Sequence, residues 1–146
     1  MDIAELRKKH KSIKSWEKFK DEEEMKEFIK DFHPLVSEYD LKDYYYINQH
    51  GTIIKYRPDK NKMVAKYMRP FVNRDGYIEY VLTLKDGKKK HLQGHRLVAL
   101  TFHGIPDEYM DANHKDGIRQ NNHKDNIEWL THSENVEHSY RVIRGR

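Results

Sequence analysis

The chain is 146 residues long, 36% hydrophobic, 36% charged and 12% aromatic, which suits one domain with an appendage and a modest core built on large aromatic side chains. It has no cysteine, so disulfides and thiolate metal sites are excluded, and no apolar run is long enough to cross a bilayer as a helix. The net charge of +4 is unevenly spread: residues 1–39 are nearly neutral, residues 55–96 carry 12 Lys and Arg against four acids, and residues 105–146 carry six bases against eight acids.

The N-terminus, MDIAELRKKHKSIKSW, lacks the apolar segment of a secretion signal, so an intracellular protein with no membrane partner is expected. Residues 2–38 read as helix. Ile3, Leu6, Ile13, Trp16 and Phe19 recur at roughly helical intervals, and Met25, Phe28, Ile29 and Phe32 follow at i, i+3, i+4 and i+7. Asp21 with Glu24 three residues later has the form of a helix start, and Pro34 should end or bend the helix. The expected segment is a helical N-terminal extension over 1–39, either a hairpin packed on the main domain or an arm that meets a partner or DNA.

From residue 43 the period changes. YYYINQHGTIIKY reads as two strands around a turn at Gln49-His50-Gly51, and MVAKYM, GYIEYVLTL and KKKHLQ read as further strands. In GYIEYVLTL, Tyr77, Glu79, Val81 and Thr83 alternate with Ile78, Tyr80, Leu82 and Leu84, the pattern of a half-buried strand. Asp75-Gly76 and Asp86-Gly87 mark turns. GHRLVALTFHG is a short buried helix with Gly104 at its C-cap position. The second expected segment, 40–104, is thus an antiparallel sheet with one helix. Its excess of Lys and Arg is best explained by contacts to phosphates, since a merely solvated face usually mixes signs. Candidate DNA-binding residues are Lys55, Arg57, Lys66, Arg69, Arg74, Lys88, Lys89, Lys90, Arg96, Arg141 and Arg144, with Arg146 beyond. His95 and Arg96 also suit capping and packing against the sheet. Tyr56, Tyr67, Tyr77 and Tyr80 suit either base stacking or the core.

The third segment, 105–146, is strand (YMDAN), long polar loop (HKDGIRQNNHKDN), strand (IEWL) and helix (ENVEHSYRVIR) capped by Thr131 or Ser133. Asn121, Asn122 and Asn126 can satisfy a loop with few regular backbone bonds, because each amide offers acceptors and donors. A zinc site from His114, His123, His132 and His138 is an alternative, against the usual recruitment of Cys.

The run NHKDGIRQNNHKDNIEWLTHSENVEH, preceded by GHRLVALTF and GIPDEY, closely resembles the HNH endonucleases of phages and group I introns. The upstream segment YYYINQHGTIIKY to GHRLVA is similar to the sheet that precedes the nuclease motif in that family. The resemblance covers residues 43–140. It implies an α+β fold with N-terminal helices, a basic antiparallel sheet and a C-terminal ββα-metal unit. By the same resemblance His114 is the general base, and Asn113 and Asn135 are the ligands of a divalent ion, Mg²⁺ foremost and Mn²⁺ as alternative. Asn113 stands where many relatives have Asp, so the site departs toward a neutral ligand, and the ion is expected to bind mainly together with DNA. Asn126 ties the loop down and orients His114, and Asn122 lies near the scissile phosphate. The implied activity is hydrolysis of duplex DNA to 5′-phosphate and 3′-hydroxyl ends. One site per chain, as monomer or weak homodimer, predicts a nick. The chain ends soon after the last helix, so the helix-turn-helix module of many relatives is expected to be absent and specificity lax or lent by a phage protein. The competing expectations are a catalytically silent DNA-binding regulator or packaging accessory, and a structured-RNA binder.

Overall fold

The structure is a computed structural model that describes residues 16–57 and 63–144, apart from the side chains of 142–144. The first half of the expected N-terminal helix, the bases at 60, 62 and 146, and the side chain of Arg144 lie outside the described residues.

In chain order the elements are β1 (Trp16–Lys18), α1 (Glu22–Ile29), β2 (Phe32–Pro34), β3 (Tyr45–Asn48), β4 (Ile53–Tyr56), β5 (Val64–Tyr67), β6 (Phe71–Val72), β7 (Ile78–Thr83), β8 (Lys89–Gln93), α2 (Gly94–Phe102), β9 (Asp111–His114), β10 (Ile127–Leu130) and α3 (His132–Arg144). Antiparallel sheets and helices share the chain, as the sequence implies. The strands form a five-stranded sheet in the order β1-β5-β4-β3-β2, a three-stranded sheet β6-β7-β8 and the hairpin β9-β10. No helix among the described residues is long and apolar enough to cross a membrane.

The helical reading of 2–38 needs correction where it can be compared. Only Glu22–Ile29 is helix, while Trp16–Lys18 pairs with β5 and Phe32–Pro34 pairs with β3. These strands take both edges of the five-stranded sheet, and an edge tolerates Pro34, which has no N–H to donate. The helix start itself is as the residues suggest. The Asp21 carboxylate accepts from the Glu24 N–H at 2.9 Å, and Glu24 in turn accepts from the Lys20 N–H at 3.2 Å.

Two apolar clusters follow from the two faces of the larger sheet. On one face Ile54, Tyr56, Ala65 and Tyr67 meet Phe19 and α1 through Met25, Phe28 and Ile29. On the other, Tyr45, Ile47 and Ile53 join Ile78, Tyr80, Leu82, Leu97, Val98 and Ile127. The alternation read in GYIEYVLTL is realised, with Ile78, Tyr80 and Leu82 buried and their neighbours half-buried. Of the four tyrosines weighed for stacking, Tyr56, Tyr67 and Tyr80 are core.

The β3–β4 turn ties this core to the C-terminal loop. Asn48 Oδ1 accepts from the N–H groups of His50 and Thr52, both at 3.0 Å, and Gly51 sits at φ +84°. The buried Tyr80 hydroxyl donates to Gly51 O at 3.0 Å, and the Lys124 N–H donates to Gln49 O at 2.8 Å. A Cβ on residue 51 would lie 3.2 Å from both Asn122 Cβ and Val98 Cγ2. Gly51→Ala therefore adds left-handed strain to a close contact and is expected to lower unfolding free energy by about 1–3 kcal/mol. Urea denaturation of the two proteins checks this.

Candidate active site

β9 and β10 pair antiparallel, with His114 opposite Ile127 and Asn113 opposite Glu128. α3 begins directly after β10. Its first turn is closed reciprocally, since Thr131 Oγ1 accepts from the Glu134 N–H at 3.2 Å and Glu134 accepts from the Thr131 N–H at 3.0 Å. Strand, loop, strand and helix thus make a ββα unit over residues 111–144.

The long loop is organised by Asp116. Its Oδ1 accepts from the Ile118 N–H at 2.8 Å and from Asn126 Nδ2 at 2.9 Å, and its Oδ2 accepts from Asn121 Nδ2 at 2.8 Å. Asn126 also donates to Asn121 O at 2.9 Å and accepts from the Asp116 N–H at 3.2 Å. Burial pushes the Asp116 carboxyl up, but these bonds outweigh it and hold the group below the usual carboxylate range. Asn126 closes the loop and does not line the cleft described below.

Asn122 reaches the histidine. Its Oδ1 lies 2.8 Å from His114 Nε2. A carbonyl oxygen can only accept, so Nε2 carries the proton and Nδ1 keeps the lone pair. The residue is 4% exposed; its ring lies tilted 4.7 Å from His95 and stacked 6.0 Å from Tyr77. Among the described residues the only sealed side-chain polar atom without a partner is His95 Nδ1. His114 Nδ1 has no hydrogen-bond partner among the described residues and is not one of the sealed atoms, so it belongs to the part of the ring that remains open. Burial pulls the His114 pKa below the ordinary imidazole value, with the Asn122 hydrogen bond and Asp116 opposing and Arg119 assisting.

An open cleft of about 670 Å³ brings His114 together with Asn113 and Asn135, and with Tyr77, Arg119 and His138 on its walls. Asn113 Nδ2 donates to Glu128 Oε2 at 3.3 Å and Asn135 Nδ2 donates to Asp111 Oδ2 at 3.1 Å. Each amide then presents its oxygen as a hard donor, the type that suits Mg²⁺ or Mn²⁺, so the residues present fit such an ion. Among the described residues no three His, Asp or Glu side chains are placed to hold a metal. The four histidines of the zinc alternative bond separately: His114 to Asn122, His123 to the Asp125 N–H, His132 to Asp111 and His138 to Lys115 O.

The candidate DNA-binding side chains divide. Arg57, Arg69, Arg74, Lys88, Lys89 and Arg141 are exposed, while Lys55, Lys66 and Lys90 are half-buried. Lys55 and Arg57 lie over the Tyr44 ring, Lys66 over Trp16 and Lys90 over Tyr39. Arg141 pairs with Glu137 at 3.1 Å. Arg96 is engaged inside the protein: it pairs with Glu38 at 2.6 Å and donates to Met110 O at 2.8 Å. Its hydrogen bond holds the Glu38 carboxyl below its usual range. Sequence reasoning missed Asp111, Glu128 and Arg119, and weighed Tyr77 only for stacking or the core. Arg119 lies over the Tyr77 ring and donates to Asp75 O. The signal for Asp111 was its place two residues before Asn113 on one strand, hence on the same face.

Residues 93–137 match the family model described as HNH endonuclease. An uncharacterised HNH endonuclease of Acanthamoeba polyphaga mimivirus, L245, is 36% identical over 61 residues, which are 42% of this chain and 18% of that protein. The solved structure titled for DNA binding and cleavage by the HNH homing endonuclease I-HmuI is 34% identical with a TM-score of 0.56, over 73% of this chain and 57% of that one. The chain thus spans less than two thirds of either relative. Within that span, residues 93–137 are similar to HNH endonucleases.

The buried ring beneath His114 sets a pH signature for stability. Burial, then the His114 and Arg96 charges, lower the His95 pKa from 6.5 to about 3. The unfolded chain takes up this proton below about 6.5 and the folded one does not, so the stabilising effect is complete above that pH and is lost as pH falls toward about 3. One proton corresponds to about 1.4 kcal/mol per pH unit. Denaturant unfolding between pH 7 and 5 should show a slope in the wild type that His95→Gln flattens by about that amount.

Proposed function

We propose that the chain is a metal-dependent endonuclease that hydrolyses phosphodiester bonds of duplex DNA, with His114 as general base. The observation that carries this reading is one imidazole whose tautomer is set by Asn122, on the wall of the cleft that also holds Asn113 and Asn135. In this mechanism His114 Nδ1 takes a proton from water as the oxygen attacks phosphorus. Asn122 keeps Nε2 as donor throughout, so the ring cannot present the wrong nitrogen. The bond to the 3′ oxygen breaks, and that oxygen takes a proton from a solvent water in the open cleft, which leaves 5′-phosphate and 3′-hydroxyl ends. The imidazolium then returns its proton to solvent through the open cleft. The ion held by Asn113 and Asn135 would neutralise the phosphate and assist the departing oxygen. Arg119, exposed at the cleft wall, adds a positive charge on the phosphate side. The exposed bases Arg57, Arg69, Arg74, Lys88 and Lys89 meet the duplex backbone. One site per chain gives a nick.

A second reading, a DNA-binding protein without catalysis, draws on Asn113: the amide is neutral and is already bonded to Glu128. Supercoiled plasmid with Mg²⁺ or Mn²⁺ separates the two. The endonuclease is expected to yield nicked circles, and His114→Ala to slow nicking by about 10² to 10⁴ while DNA binding persists. No cleavage with any divalent ion, together with intact binding, would establish the silent binder. Because the base must be neutral and burial lowers its pKa, nicking is expected to fall off only at a lower pH than an ordinary imidazole would give, as a pH–rate profile would show.

Replacing Lys88, Lys89 and Lys90 together by alanine should weaken duplex binding alike for all sequences. It should also reduce the slope of log K against log salt by about 2 to 3, close to one counterion per contact. A gel-shift series from low to moderate salt measures this.

A further inference from the structure

Asp111 and Glu128 play no part in the mechanism above, yet each carboxylate meets one of the two amides on which the metal reading rests. Glu128 stands directly opposite Asn113 in the β9–β10 register and accepts from Asn113 Nδ2 at 3.3 Å. Asp111 lies two residues before Asn113 on β9 and accepts from Asn135 Nδ2 at 3.1 Å, with His132 Nδ1 at 3.1 Å from the same oxygen. Strand alternation puts Asp111, Asn113 and Glu128 on one face of the hairpin. The amides line the cleft and the carboxylates do not, so both acids stand behind the groups they touch.

This arrangement removes an ambiguity. An amide can be turned about its last bond with little change in shape, but an ionised carboxylate can only accept. Each acid therefore draws the amide nitrogen to its own side and leaves Oδ1 as the outward atom. A carboxylate that accepts from an amide N–H also polarises that amide and places negative charge near whatever the oxygen holds.

We propose that Asp111 and Glu128 are positioning residues that turn the oxygens of Asn135 and Asn113 into the cleft and supply, from behind, the negative charge that two neutral amide ligands lack. The proposal rests on the reading of Asn113 and Asn135 as ligands of a divalent cation. It accounts for a neutral residue at 113: the anionic charge sits across the hairpin at 128 and two residues back at 111.

The test measures Mn²⁺ binding directly, by the resonance signal of free Mn²⁺. It uses the full chain carrying His114→Ala so that an added duplex oligonucleotide survives. Asp111→Asn and Glu128→Gln keep size and an acceptor atom but remove the charge. Each is expected to weaken Mn²⁺ binding about tenfold, and the pair about a hundredfold. Melting in metal-free buffer and metal-free binding to the duplex should stay at the parent values. Asn113→Ala and Asn135→Ala should abolish Mn²⁺ binding. If the two alanine variants lose the ion while both acid variants bind it like the parent, the positioning role is overturned and the ligand reading stands. If all four bind like the parent, the ligand reading falls and takes the proposal with it. A loss in Asp111→Asn or Glu128→Gln as complete as in the alanine variants makes that acid a direct ligand and overturns the proposal. So does a weakening matched by an equal drop in metal-free stability.

Discussion

The C-terminal unit depends on one hydrogen bond, from His114 Nε2 to Asn122 Oδ1. It is buried, so water does not compete for either partner, and breaking it would leave both unsatisfied at a cost of about 1–3 kcal/mol. The bond also decides chemistry, because it leaves a single ring nitrogen able to accept a proton. What holds Asn122 in place is close packing against glycines. A Cβ at Gly94 would lie 3.0 Å from Asn122 Nδ2, and one at Gly51 would lie 3.2 Å from Asn122 Cβ. Glycine at these two positions lets the backbone of β3–β4 and the start of α2 approach the amide from different sides.

Around that bond the molecule separates its charges. Residues 55–96 carry 12 Lys and Arg against four acids, whereas the unit built from β9, β10 and α3 is rich in amides and carboxylates, with Lys115, Arg119 and Arg141 among its exposed bases. Inside the unit, most carboxylates are already occupied: Asp116 by three donors of its own loop, Asp111 by Asn135 and His132. Hydrogen bonds hold Asp111, like Asp116, below the ordinary carboxylate range even though burial pushes the other way. Asp116 thus keeps the loop in shape, and Asp111 braces β9 against the start of α3.

Much of this was legible in the sequence, and for identifiable reasons. Period-two alternation located β7, the Asp21–Glu24 pair located the start of α1, and the spacing of His114, Asn122, Asn126 and Asn135 located the ββα unit. What failed was the region where elements are shortest. Three-residue strands such as Trp16–Lys18 and Phe32–Pro34 carry too few side chains to display a period. Their pairing partners lie many residues away, so non-local backbone bonds chose strand over a plausible helical pattern. The division of the strands into two sheets was hidden for the same reason. At the site, Tyr77 and Arg119 come from separate segments and meet only in the folded chain. Glu128 became visible once register set it across from Asn113.

The contact between the β3–β4 turn and the C-terminal loop has a further consequence. Lys124 N–H bonds to Gln49 O, the His50 and His123 rings sit 4.9 Å apart, and Gly51 abuts Asn122. Segments more than 70 positions apart in sequence thereby share one seam. The ββα unit is therefore not a cassette that could be transplanted onto another sheet by cutting at residue 105. A chimaera that kept the reactive ring aligned would have to inherit residues 49–51 along with it, and drift at either side of the seam constrains drift at the other.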